Sequence, residues 1–380
     1  MDHAKAVEAA RTLAREVLAP NAHDNDKNAA FPEAAVKALG AAGLLGLTVP
    51  VAMGGHGLGP RTYAEVVATL AEADASLAMI YKMHVCGVAC LVSFADKSSD
   101  ARAAIADVVK GKHLSTLAFS EQGSRSHFWA PVSKATKSGA KYTINAQKSW
   151  VTSAGHADSA IVSAQLPDAK APTESGLFIL AKGNPGARVS GKWDALGMRA
   201  NGSAPMTLES CEISETAMLT REGFKAMLEI VLPWFNLGQA SVALGLCRAA
   251  TAATVTHLKA TRFEHLGATL GEALPNLRAN VATMQIEADG LAARIADVCT
   301  HMETPGDLTV LRVLECKASA GESAIMVTQL AMRTCGGAAF SKHTSIERFF
   351  RDAQAGAVMA PTGDVLREFI GKAVLGIPLF

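Results

Sequence analysis

The residues able to do chemistry fall in a few places. Lys82 and His84 interrupt the most apolar run of the chain, Leu77 to Phe94. An imidazole that is neutral near ordinary pH can accept a proton, which makes His84 a candidate base; a lone histidine on an apolar helix is more often a satisfied core residue. Two passages, LAFSEQGSRSHFWAPVSKA and YTINAQKSWVTSAGHADSAIVSA, gather hydroxyls around Phe119, Ser120, Ser126, Trp150 and Thr152. Taken alone, Trp150 reads as a core tryptophan of a β domain. The cysteines at 86, 90, 211, 247, 299, 316 and 335 contain no CxxC pair and no zinc-site spacing, so reduced thiols in a cytoplasmic chain are expected.

The elements that must position these residues are legible from the spacing of apolar side chains. A chain of 380 residues is too long for one compact core. With 49% apolar and 19% charged residues it is neither disordered nor a charged scaffold. Lys and Arg (36) nearly balance Asp and Glu (35), and a formal charge of +1 offers no field for a nucleic acid. From Ala4 to about Lys112 apolar residues recur at three and four, as in Val36, Leu39 and Leu44 or Val66, Leu70 and Leu77, which is helical spacing. TVPVAMGGHGLGP breaks that block as a surface loop.

Between about His113 and Glu215 the pattern shortens. Ser115–Ser120, Lys141–Asn145, Ala160–Ala164, Leu177–Leu180 and Met206–Ile213 read as strands separated by Gly, Ser, Asp and Pro. Helical spacing returns over Met227–Lys259, Pro275–Met302, Leu308–Cys335 and Gly363–Leu375. The spacing therefore predicts a helical domain over 1–112, a β domain over 113–216 and a helical bundle over 217–380. Charges inside Leu77–Phe94 would be costly in lipid, so that run is expected as a buried helix and no membrane partner is expected. The amphipathic N-terminus lacks the apolar region of a secretory signal.

The order helical, β, helical, together with the two passages above, resembles the acyl-CoA dehydrogenase superfamily of flavoproteins over essentially the whole chain. The first passage is similar to T-E-P-G-A-G-S-D and the second to Y-x-I-N-G-x-K-x-W-I-T-N-G-x-x-A-D. Further on, AAGLLGLTVPVAMGGHGLG, WDALGMRANGSAPMTLESCEI, the segment around Arg262 and RTCGGAAFSKHTSIERFFRDAQAG resemble other family passages in family order. The resemblance implies an α+β fold with a central antiparallel, barrel-like domain, and FAD as cofactor. It places Phe119 and Ser120 at the pyrimidine side of the flavin, Ser126 at backbone groups of cofactor or substrate, Trp150 over the ring and Thr152 near N5. Thr362 keeps a family threonine at the cofactor. Arg262, Arg333, Gly336 and Gly337 would reach the FAD of a neighbouring subunit, which implies a homodimer or homotetramer.

The chain also departs from the family pattern. After Arg351-Asp352-Ala353, Met359 and Ala360 stand where Tyr and the catalytic Glu are usual. On the helix that opens the last domain, Phe235 and Asn236 stand where an acid and a CoA-holding Arg are expected. An acyl thioester on CoA, a carrier-bound acyl group and a free substrate therefore all stay open. Among nearby acids, Glu121 is expected to be structural, Asp364 to serve a helix N-terminus, and Glu368 to lie too far along its helix. His84 becomes the candidate for proton handling. Three activities remain: oxidation at Cα–Cβ of an acyl thioester with a non-standard base, a flavin monooxygenase or oxidase, and a flavin-dependent lyase. The electron acceptor would be an electron-transfer flavoprotein or oxygen.

Overall fold

The computed structural model describes residues 1–125 and 127–379. Six helices come first: α1 His3–Leu13, α2 Ala19–Asn28, α3 Glu33–Ala41, α4 Pro60–Ala73, α5 Ala75–Ser93 and α6 Ser99–Val108. α5 is buried on nearly every side, as its mostly apolar sequence requires, with Lys82 and His84 buried along with the rest. Its start is set by Asp74, whose Oδ1 accepts from the N–H groups of Ser76 (2.9 Å) and Leu77 (3.3 Å).

Eight strands follow: β1 Ser115–Ala118, β2 Thr136–Ser138, β3 Lys141–Val151, β4 Ser159–Gln165, β5 Ser175–Ala181, β6 Ala187–Val189, β7 Ala204–Ser214 and β8 Met218–Thr220. They form two four-stranded sheets, ordered β1-β4-β5-β8 and β2-β3-β7-β6. Pairing is antiparallel except between β1 and β4, where Ser115 lies opposite Ser159 in a parallel register. The antiparallel domain expected from the sequence is corrected at that pair: the chain leaves β1 to build β2 and β3 and re-enters the first sheet in the same direction, a crossover that no hairpin could make. β3 alternates, with Tyr142, Ile144, Ala146 and Lys148 buried. β4 and β5 are buried almost throughout, since the first sheet is covered on both faces.

The last part comprises α7 Gly223–Ala226, α8 Leu232–Ala260, a two-residue hairpin β9 Arg262–Phe263 and β10 Ala268–Thr269, α9 Leu270–Ala273, α10 Pro275–Glu303, α11 Thr309–Cys335, α12 Gly337–Phe340, α13 Ile346–Ala353, α14 Ala355–Val358 and α15 Gly363–Leu375. α7 runs into α8 through a π turn, Met227–Val231. Pro233 explains the turn: it has no N–H to donate back, and its ring crowds the preceding turn, so the helix widens there. Among the described residues two helices are long and apolar enough to cross a membrane, Ala75–Ser93 and Gly223–Ala260, and both are packed mostly inside the protein.

Arg351 joins the three parts. Its guanidinium spans both oxygens of Asp26 (3.0 and 2.6 Å) and donates to Glu347 Oε2 (2.7 Å) and to the Leu196 carbonyl (3.0 Å), while Asp352 Oδ1 accepts from the N–H of Met198 (2.6 Å). Such forked pairing fixes orientation as well as distance. Arg199 adds a bond from Nε to the Asp26 carbonyl (2.9 Å), a structural tie.

α8 lies against α4 at van der Waals contact through Gly245. A Cβ there would stand 2.4 Å from the Ala68 carbonyl oxygen and 2.6 Å from Ala71 Cβ. Gly245→Ala gains up to about 1 kcal/mol of helix propensity, but the backbone it meets cannot yield. Overpacking of this kind costs about 1–3 kcal/mol. Urea unfolding is expected to show net destabilisation.

Candidate active site

A cavity of about 640 Å³ opens between the β domain and the last helices. One wall is built by the middle domain: Phe119 and Ser120 just past β1, Trp150 at the end of β3, Thr152, and Asn201 and Ser203 before β7. The opposite wall comes from the helical parts: Met83 of α5, Val231 and Phe235 at the α7–α8 junction, and Val358, Met359, Ala360 and Thr362 between α14 and α15.

The middle-domain wall is held in an unusual backbone. Six non-glycine residues among the described residues have positive φ, and Arg125 (49°), Trp150 (54°) and Met198 (52°) all line this cavity. A bulky residue in that region is strained and persists only where its surroundings fix it. The indole of Trp150 is 63% exposed although it forms a wall. Trp193 stands edge-on to it, centroids 5.5 Å apart, and donates Nε1–H to the Met198 carbonyl (2.8 Å). Thr152 Oγ1 and Ser203 Oγ are 2.9 Å apart. An uncovered indole beside hydroxyls suits a flat heteroaromatic ring whose edge needs hydrogen bonds. These residues therefore fit an isoalloxazine.

Glu121, also at the cavity, is not free to exchange a proton. It forms a buried ion pair with Lys148 and accepts from the N–H groups of Val132 and Ser133 (2.7 Å each) and from the Ser133 hydroxyl. Burial opposes its charge, but Lys148 and these donors outweigh burial and hold its pKa below the ordinary value. Its role is to fasten the 121–133 loop to β3. The other lining carboxylate among the described residues, Asp194, is 97% exposed at its side chain and lies 4.0 Å from Arg199.

His84 is not brought to the cavity, and the expectation that it handles the proton is corrected. It is fully buried, Nδ1 accepts from the N–H of Ser115 (3.0 Å), and Nε2 lies 2.9 Å from the Leu45 carbonyl. Those partners require the neutral Nε2–H form, donating to Leu45. Burial pushes the pKa down to about 4. His84 pins α5 to β1.

Of the remaining candidates, Phe119, Ser120, Trp150, Thr152 and Thr362 meet at the cavity. Ser126 lies outside the described residues. Arg262, Arg333, Gly336 and Gly337 are exposed and do not line this cavity; the Arg262 guanidinium donates to the Gly267 carbonyl within the β9–β10 hairpin. In the aromatic run after residue 126, Phe128 lines the cavity and Trp129 packs on Phe369 of α15, centroids 5.5 Å apart. Asp364 is an exposed acid in the first turn of α15. Arg125, Trp193 and Ser203 were not singled out from the sequence. A cation among hydroxyls at 124–126 was the one signal for Arg125.

Behind the apolar wall lie two buried lysines. Lys317 Nζ donates to the carbonyls of Met359 (3.1 Å) and Pro361 (2.6 Å), fixing the backbone beneath the cavity. Lys82 Nζ donates to Gln239 Oε1 (2.8 Å) and to Met359 Sδ (3.4 Å) and sits 3.6 Å from the centroid of the Phe235 ring.

This fold and site define a flavin-dependent oxidoreductase. Comparison with known families gives the particular one. The acyl-CoA dehydrogenase N-terminal, middle and C-terminal domains match residues 1–104, 116–211 and 221–375. The chain belongs to the acyl-CoA dehydrogenase family and is an FAD-dependent enzyme of that family. It is 28% identical to the mitochondrial isovaleryl-CoA dehydrogenase of Pongo abelii, over 94% of this chain and 85% of that protein. It is 26% identical to the 3-sulfinopropanoyl-CoA desulfinase of Advenella mimigardefordensis, over 97% and 92%. The solved structure of butyryl-CoA dehydrogenase from Megasphaera elsdenii superposes with a TM-score of 0.92 at 23% identity, covering 99% of this chain and all of that one.

Lys317 supplies a pH dependence. Burial lowers its pKa to about 7, whereas an unfolded lysine titrates near ~10.4. Between these values the unfolded chain holds more protons, so this residue makes stability rise with pH from about 7 to about 10. Urea midpoints across that range are expected to climb less steeply in Lys317→Met than in the wild type.

Proposed function

We propose that this enzyme oxidises the Cα–Cβ bond of an acyl thioester. The observation that carries the reading is the pairing of the two walls: an exposed indole with hydroxyls faces an apolar wall made by Val231, Phe235, Val358, Met359 and Ala360. FAD, when bound, supplies the acceptor for a hydride. Trp150 backs its ring, Thr152, Ser203 and Ser120 offer hydrogen bonds to its edge, and the apolar wall excludes water from an acyl chain. The α-proton leaves without a family carboxylate at 359–360, so the substrate must carry its own acidifying group or its own internal base.

The same wall favours a second reading. A lyase reaction on an acyl thioester makes no net demand on the flavin as electron acceptor, and one relative is a desulfinase by name. Anaerobic mixing of the FAD-loaded protein with acyl-CoA and acyl-pantetheine thioesters separates these. Loss of the oxidised flavin absorbance with enoyl product is the result expected of oxidation. Product formation without bleaching gives the lyase, and neither with any thioester overturns both. Faster reoxidation by oxygen than by an electron-transfer flavoprotein would place the enzyme among oxidases.

The exposure of Arg262, Arg333, Gly336 and Gly337 away from their own cavity supports their serving the flavin of a second subunit. A homo-oligomer is then expected. Gel filtration showing a monomer that retains FAD would exclude it.

A further inference from the structure

Lys82 is a fully buried amine with no ion-pair partner among the described residues. Leaving a cation in that state is unfavourable. The fold nevertheless makes room for it. A Cβ at Gly238 would come within 2.5 Å of Lys82 Cγ and 2.1 Å of the Tyr63 hydroxyl, so the lysine passes α8 only because residue 238 is glycine. Its tip then meets three electron-rich groups: the Gln239 amide oxygen, the Met359 thioether and the face of Phe235. The last two line the cavity. They also occupy the segments where the family's acids would stand.

A buried polar group close to Gln239 in the chain is unsatisfied. Asn236, one helical turn before Gln239 on α8, is completely buried, and neither its Oδ1 nor its Nδ2 has a hydrogen-bond partner among the described residues. Burial, together with the positive Lys317 nearby, lowers the Lys82 pKa well below the ordinary lysine value; an anion at its tip would reverse that cost. A thioether is a weak acceptor, and methionine changes rotamer easily, so Met359 is a replaceable partner for Lys82.

We infer that Lys82 is an anion-recognition residue: the acyl part of the substrate ends in a carboxylate or similar oxyanion, which displaces the Met359 thioether and pairs with Lys82 Nζ. This rests on the acyl-thioester reading above. It assigns the enzyme to acyl groups charged at the end remote from the thioester, with the apolar wall covering the methylenes between.

The test compares plain acyl-pantetheines of four, five and six carbons with their ω-carboxylated counterparts, binding to the FAD-loaded enzyme by calorimetry. At one length or more the carboxylated member is expected to bind about tenfold tighter or better, as a charge-assisted bond to a buried ammonium should give. Lys82→Met should erase that preference, leave plain thioesters bound as before, and melt no lower than the wild type because a buried polar head is exchanged for an apolar one of similar length. Lys82→Gln, which keeps a polar head, should also lose the preference. Plain thioesters binding as tightly as charged ones at every length would overturn the inference while leaving the thioester reading intact. A variant that melts lower and keeps the preference would overturn it as well, returning Lys82 to packing. If no thioester of either kind binds, the thioester reading falls and this inference with it.

Discussion

Everything near the cavity hangs on α5, a helix buried on nearly every side yet carrying two basic residues separated by a single methionine. Successive residues of an α-helix turn by about 100°, so Lys82 and His84 point about 200° apart and cannot serve the same space. His84 faces Ser115 of the first sheet on one side and the Leu45 carbonyl of the N-terminal part on the other. Lys82 faces α8 and the far wall of the cavity. One rigid element thus sets the distance between the β domain and the helical bundle, and the cavity is the gap it leaves.

The clamp at Arg351 does the complementary work at the other side. By gripping Asp26, Glu347 and the Leu196 carbonyl, it fixes the first, middle and last parts of the chain in one arrangement. The neighbouring carboxyl of Asp352 is buried, and burial raises its pKa to about 7. It still accepts the N–H of Met198, a cavity residue held at positive φ. The strained wall is therefore anchored by a side chain that comes more than 150 residues later in the sequence.

Much of this was legible in the sequence. The helix expected over Gly363–Leu375 has those ends, and Pro275–Met302 and Leu308–Cys335 differ from the observed helices by one residue at an end, because strong apolar periodicity leaves little freedom. β3 was seen only as Lys141–Asn145, since its second half carries Gln147, Lys148 and Ser149, polar residues satisfied by partners that sequence cannot reveal. Ser120, Thr152 and Trp150, which line the cavity, came from their motifs, whereas the Ser203 hydroxyl had no such signal. His84 was misplaced for the opposite reason: an ionisable group in an apolar run says that something must satisfy it, not which face it is on. The role of Lys82 needed the third dimension, because Gln239, Met359 and Phe235 are far from it in the chain.

The tether from Lys317 has a consequence for how such an enzyme changes its chemistry. It grips the carbonyls of residues 359 and 361, groups that every amino acid possesses, and takes nothing from the side chains between. The floor of the cavity is held through its backbone. The mount beneath positions 359 and 360 is thus made of backbone groups, and Lys317 keeps both of its bonds when the side chains above them change.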